Sequence, residues 1–203
     1  MDRVIWCPSR LGNYTTASAW DFFRQSKNKV AWHSLVWFLE RHPRAAFILW
    51  LAVQEKLGTQ DRLYNPAPGI LCLLCGACLE THNHLFFECL ATKQIWERVL
   101  IKADISVPDS PWKERVGWMS LKWKGKTLSH NISKLCLSIS VYQIWKERNL
   151  RFHTNSMRST DDIYCCILEQ VRLKLSTFRC MEDNLTNRAT QSIWNLPDSI
   201  FEG

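Results

Sequence analysis

The chain predicts a mainly α fold: a small helical domain built round a Cys/His knuckle, followed by a C-terminal helical hairpin. Three observations carry this. Apolar residues step at helical intervals through Ile132, Leu135, Cys136, Ile139 and Tyr142, and again through Ile163, Ile167, Val171, Leu175 and Phe178. Cysteine and histidine crowd into one segment with the spacing Cys-x2-Cys-x8-His-x4-Cys, at Cys72, Cys75, His84 and Cys89. Eleven tryptophans and nine phenylalanines supply the apolar area a substantial core requires.

Taken in order, residues 18–23 and 30–39 carry aromatic side chains and read as helices. Pro43 suits a first helical turn, and 44–57 follows without a breaker, with Phe47, Trp50, Leu51 and Leu57 as its main buried face. The run Asn65-Pro66-Ala67-Pro68-Gly69 forces a loop into the Cys/His segment. Thr81 can cap a short helix there. Ile95, Trp96, Val99 and Leu100 place another amphipathic helix directly after it. Pro108 and Pro111 mark a boundary, so the expected division is a helical domain at 1–105, a basic linker at 106–128 and a helical region at 129–203. The two long helices start near Ser129 and after Ser159 or Thr160, and would pack as an antiparallel hairpin. Asp161 and Asp162 complement the dipole at the second start.

Three thiols and an imidazole at this spacing suit one tetrahedral ion, and zinc takes such ligands at about 2.0 to 2.3 Å. Gly76 allows the bend after the second cysteine. His84 and Cys89 are five residues apart, about 7.5 Å of rise in a helix, so Cys89 must sit at or beyond the helix end. Cys78 and His82 compete for the site. Cys78 lacks a following glycine, and His82 lies about 10.5 Å of helical rise from Cys89. The spacing favours Cys72, Cys75, His84 and Cys89 around one structural Zn2+. Four protein ligands leave no position for substrate, which argues against metal catalysis.

The net charge of +7 sits in one stretch: residues 113–151 hold nine basic side chains against Glu114 and Glu147, and the rest of the chain balances. Within it, Lys122, Trp123, Lys124 and Lys126, with Lys146 and Arg148 further on, interleave cations and rings. That chemistry suits a nucleic-acid strand, RNA or single-stranded DNA, with cations on phosphates and rings against bases. By contrast, no lysine or arginine falls between Arg62 and Lys93, while Glu80 and Glu88 do, so the metal segment reads as acidic. The alternative is a structural or protein-interaction module that binds no nucleic acid. A Cys78–His82 nucleophile pair has no evident orienting third group.

Nine cysteines, an odd number in a chain too long to need disulfide staples, suit a reducing compartment. No secretory signal is visible, and the apolar run at 45–53 is far short of the ~20 residues of a membrane helix. The expectation is an intracellular protein of nucleus or cytoplasm, with no membrane partner.

Several motifs occur together: Ser18-Ala19-Trp20, Trp32 with Trp37, Pro43 through Ala52, Leu57 through Leu63, Cys72-x2-Cys75-Gly76, Glu80-Thr81-x2-His84-Leu85-Phe86-Phe87-Glu88-Cys89, Ile95-Trp96, and later Ile144 through Asn149. In combination they resemble the zinc-binding domain of plant LINE-type (non-LTR) retrotransposon reverse transcriptases, over nearly the whole chain. The resemblance implies a non-catalytic, nucleic-acid-binding accessory module, with the metal on Cys72, Cys75, His84 and Cys89. Neither the clustered carboxylates of a polymerase nor those of a ribonuclease H are evident.

Overall fold

The computed structural model describes residues 5–24, 28–63, 71–154 and 156–202, and the loop expected at 65–69 lies outside them. Among the described residues there is no strand, only an antiparallel bridge between Leu71 and Leu79. Two compact units are present, Met1–Val30 and Ala31–Gly203. The first holds helix α1 (Thr16–Phe23), begun by a reciprocal cap between Thr15 and Ser18. Trp6 packs edge-on against Tyr14 and Phe22, with ring centroids 5.3 and 5.9 Å apart.

The second unit is built around α6 (Leu128–Thr154), 27 residues without glycine or proline and about 40 Å long. Its opposite faces enter two apolar clusters. Leu137, Val141 and Ile144 join Leu35, Leu49, Phe86, Trp96, Trp112 and Met119, while Ile132, Leu135 and Ile139 join Ile163, Ile167, Val171, Leu175 and Trp194. A helix buried on both sides belongs at the centre of a fold. α7 (Thr160–Leu175) packs along it to complete the expected hairpin, with Ser159 as the cap and Asp162 closing the reciprocal bond. α3 (Pro43–Val53) and α4 (Leu90–Ala103) also pack on α6, and α4 packs on α7 as well. α8 (Leu185–Trp194) adds Trp194 to the second cluster.

Three expectations are corrected. The helix over 30–39 shrinks to α2 (His33–Val36), which has no side-chain cap and ends where Trp37 leaves helical torsions. α3 does not bury Phe47, which is 51% exposed; its inner face is Ala45, Ala46, Leu49 and Ala52. Small residues on that face let the α3 and α6 backbones approach closely, so the bulky residues turn outward or sideways. The stretch expected as a linker holds α5 (Trp112–Lys122), whose Trp112, Val116 and Met119 are buried in the first cluster. Residues on either side of the expected boundary therefore share one core.

Candidate metal centre

The knuckle is a tight reversal held by few backbone bonds. Cys72 N donates to Cys78 O and Gly76 N to Cys72 O, both at 2.7 Å. Gly76 has φ +67°, the left-handed torsion a side chain would resist. The second half departs from an α-helix. Thr81 Oγ1 accepts from His84 N at 3.0 Å, and residues His84–Glu88 then form one π turn closed by Cys89 N donating to His84 O at 2.7 Å. In an α-helix, positions five apart diverge by about 140°. The wider π turn brings them nearer one face. Cys89 itself leaves helical torsions, as the spacing required, and is both the end of the π turn and the N-cap of α4.

These devices bring Cys72, Cys75, His84 and Cys89 together, with all four donor atoms within 4.8 Å of one another. Cys72 Sγ is 3.9 Å from Cys89 Sγ, and Cys75 Sγ is 3.3 Å from His84 Nε2. Around a tetrahedral zinc, two sulfurs stand about 3.8 Å apart and a sulfur and nitrogen about 3.5 Å. The donor set fits one zinc ion. The hydrogen bond Cys72 gives to Cys89, with burial, raises the Cys72 thiol above its ordinary range, and the same bond lowers Cys89 despite its burial. Backbone N–H groups of Leu74 and Cys75 point at Cys72 sulfur, and those of Ala91 and Thr92, in the first turn of α4, at Cys89 sulfur. Such donors favour thiolates, the form in which cysteine ligates a metal.

The competitors stand apart. Cys78 is exposed. His82 is 3% exposed, and its ring packs against Phe86 and Trp112 at 4.9 and 4.8 Å. Burial lowers its pKa to about 4, against smaller contributions that include the Ala52 backbone, so the ring is a neutral part of the core. Cys78 and His82 make no hydrogen bond to each other among the described residues, so a nucleophile pair has no geometric basis there.

Residues 14–96 match a family model described as zinc-binding in reverse transcriptase. The matched segment contains all four zinc ligands and ends inside α4. No curated protein and no solved structure matches the chain. No helix among the described residues is long and apolar enough to cross a membrane.

Beyond the matched segment, α6 reaches back to the zinc knuckle. Arg148 Nε and Nη2 donate to Glu80 Oε1 at 3.0 and 2.8 Å, and Gln60 N donates to the same oxygen at 3.0 Å. Arg151 Nη1 donates to Leu73 O at 3.0 Å and Leu74 O at 3.2 Å. Those carbonyls belong to the peptide groups whose N–H ends face Cys72 sulfur, so the guanidinium polarises the donors toward the thiolate. Glu147 orients Arg151 at 2.9 Å and Arg158 at 2.8 Å. Burial alone would raise the Glu147 carboxyl, but these arginines hold it below its usual range.

This geometry corrects part of the expected nucleic-acid surface. Arg148 is 3% exposed and committed to Glu80, so it is not free for phosphate. Trp123 is 7% exposed, edge-on to Trp118 within the first cluster, so it cannot stack on a base. Glu80, read as making the metal segment acidic, is neutralised by Arg148. Lys122, Lys124, Lys126 and Lys146 are exposed. Sequence reasoning missed the clasp by Arg148 and Arg151. Its local sign was the Glu147–Arg151 spacing of four on one helix, but the partners Glu80, Leu73 and Leu74 are 68 to 78 residues away.

Proposed function

We propose that this protein is a non-catalytic, zinc-stapled module of the LINE-type reverse transcriptase kind, and that it binds single-stranded nucleic acid electrostatically. One observation carries the reading. Lys122, Lys124 and Lys126, where α5 passes into α6, are exposed and have no carboxylate partner within ion-pair distance among the described residues. Arg148 and Arg151, further along the same basic stretch, are spent on the fold, so these three lysines are among the cations free for a ligand. The zinc is structural: with four protein ligands it orders the knuckle and leaves no open position for substrate. Titrating fluorescent single-stranded RNA and DNA at rising salt tests this. The expected result is a straight line of log affinity against log salt, with a slope of about −0.7 for each phosphate the protein neutralises.

The second reading, a protein-interaction module, is favoured by the first unit. There Trp20, Phe22 and Phe23 are 66, 61 and 73% exposed on a helix with no buried residue among those described. Absence of any salt-dependent nucleic-acid binding would select it.

A further inference from the structure

A second cationic site lies on another part of the second unit. His42, Pro43, Arg44, Tyr142, Lys146 and Gln170 line an open cleft of about 420 Å³ contributed by α3, α6 and α7. Lys174 stands close enough to His42, as Arg44 does, to oppose its protonation. Arg44 and Lys146 in the lining, and Lys174 beside it, have no ion-pair partner among the described residues. Mutual repulsion among such cations is unfavourable unless water, salt or an anionic ligand screens it.

The floor and wall add chemistry that a bare cationic patch lacks. The rings of His42 and Tyr142 are stacked, with centroids 6.2 Å apart and planes at 30°. His42 Nδ1 accepts from Ala45 N at 3.3 Å, so the neutral imidazole carries its proton on Nε2, as a donor. Gln170 Nε2 donates to Cys166 Sγ at 3.4 Å, while its Oε1 is shielded from solvent and has no partner in the protein. Cations, a ring pair and a neutral donor together match phosphodiester and base. An acidic peptide would use only the cations.

We propose that this cleft seats one stretch of a single-stranded nucleic acid, with phosphates on Arg44, Lys146 and Lys174 and a base against the His42–Tyr142 pair. The inference rests on the nucleic-acid reading above and says where the strand lies: Lys122, Lys124 and Lys126 attract it, and the cleft holds it.

Photocrosslinking with a thiouridine-containing oligonucleotide of about 16 nucleotides, within the range one strand-binding site covers, locates the bound strand on the full chain. The expected adducts fall on peptides containing Tyr142 or His42. The combined variant Arg44→Gln, Lys146→Gln, Lys174→Gln should bind at least tenfold more weakly, with a salt slope shallower by about 2 because three phosphates are no longer neutralised. Its zinc content and helicity should be unchanged, since none of the three is a ligand or in the core. Adducts confined to 118–126, with binding intact in the combined variant, overturn the cleft and leave the nucleic-acid reading standing. Wild-type protein that binds no strand at all removes both. Polyglutamate competing as well as the oligonucleotide also overturns the cleft, because the rings would then contribute nothing.

Discussion

The zinc knuckle and the α6–α7 hairpin are held by different physics. Between Leu71 and Cys89 the backbone makes a bridge, two short turns and a π turn, and its polar donors converge on a metal-sized space. Between Leu128 and Leu175 the order comes from two regular helices and near-complete burial of Ile132, Leu135, Ile139, Ile163, Ile167, Val171 and Leu175. The knuckle depends on an ion and on Glu80, Arg148 and Arg151. The hairpin depends on apolar area. Because α6 serves both, damage to one should reach the other through those few side chains and through the apolar contact of Leu137, Val141 and Ile144 with Phe86 and Phe87.

The largest expected effect separates the two directly. Cys72→Ser combined with Cys75→Ser should abolish zinc binding, removing a contribution of about 10 to 16 kcal/mol by the scale of small zinc modules. Hydrogen exchange should then speed up at 71–89 while α6 and α7 stay protected. Equal deprotection of both regions would end the comparison. Next, Arg148→Ala leaves Glu80 buried without its cation and should cost about 3 to 5 kcal/mol in denaturant melts, with the knuckle the first region to exchange. Ile167→Ala, fully buried between α6 and α7, should cost about 2 to 5 kcal/mol from the opposite side, with one zinc per chain retained. The finest probe is Arg151→Gln. Zinc affinity should fall about tenfold, and the thiolate-to-metal charge-transfer band of the cobalt-substituted protein should shift, with Arg151→Lys recovering part of both. An unchanged affinity would show that the guanidinium does not tune Cys72.

Legibility followed the range of the interaction. The four ligands lie within 18 positions, and spacing with Gly76 was enough to select them over Cys78 and His82. The starts of α3, α6 and α7 were readable from Pro43 and Ser159 and from unbroken periodicity. The π turn was not, because one extra residue per hydrogen bond leaves no mark in composition, although the demand that Cys89 leave the helix pointed to it. The inner face of α3 was misread, since hydrophobicity favours Phe47 and Trp50 over alanines whose value is closeness to α6. Arg148 and Trp123 looked like binding groups because a charge or an indole does not announce that its partner is Glu80 or Trp118. The cleft at His42, Arg44, Tyr142 and Lys146 joins three helices and had no local signature at all.

Cys89 closes the metal site and opens α4 with the same residue. A sulfur one carbon from the backbone can meet an ion while the amides of Ala91 and Thr92 face it, whereas an imidazole would carry its donor atom several bonds further out. Swapping that cysteine for the other common ligand type would thus force a choice between coordination and the first turn of α4, so the identity of this fourth ligand is tied to where a helix begins.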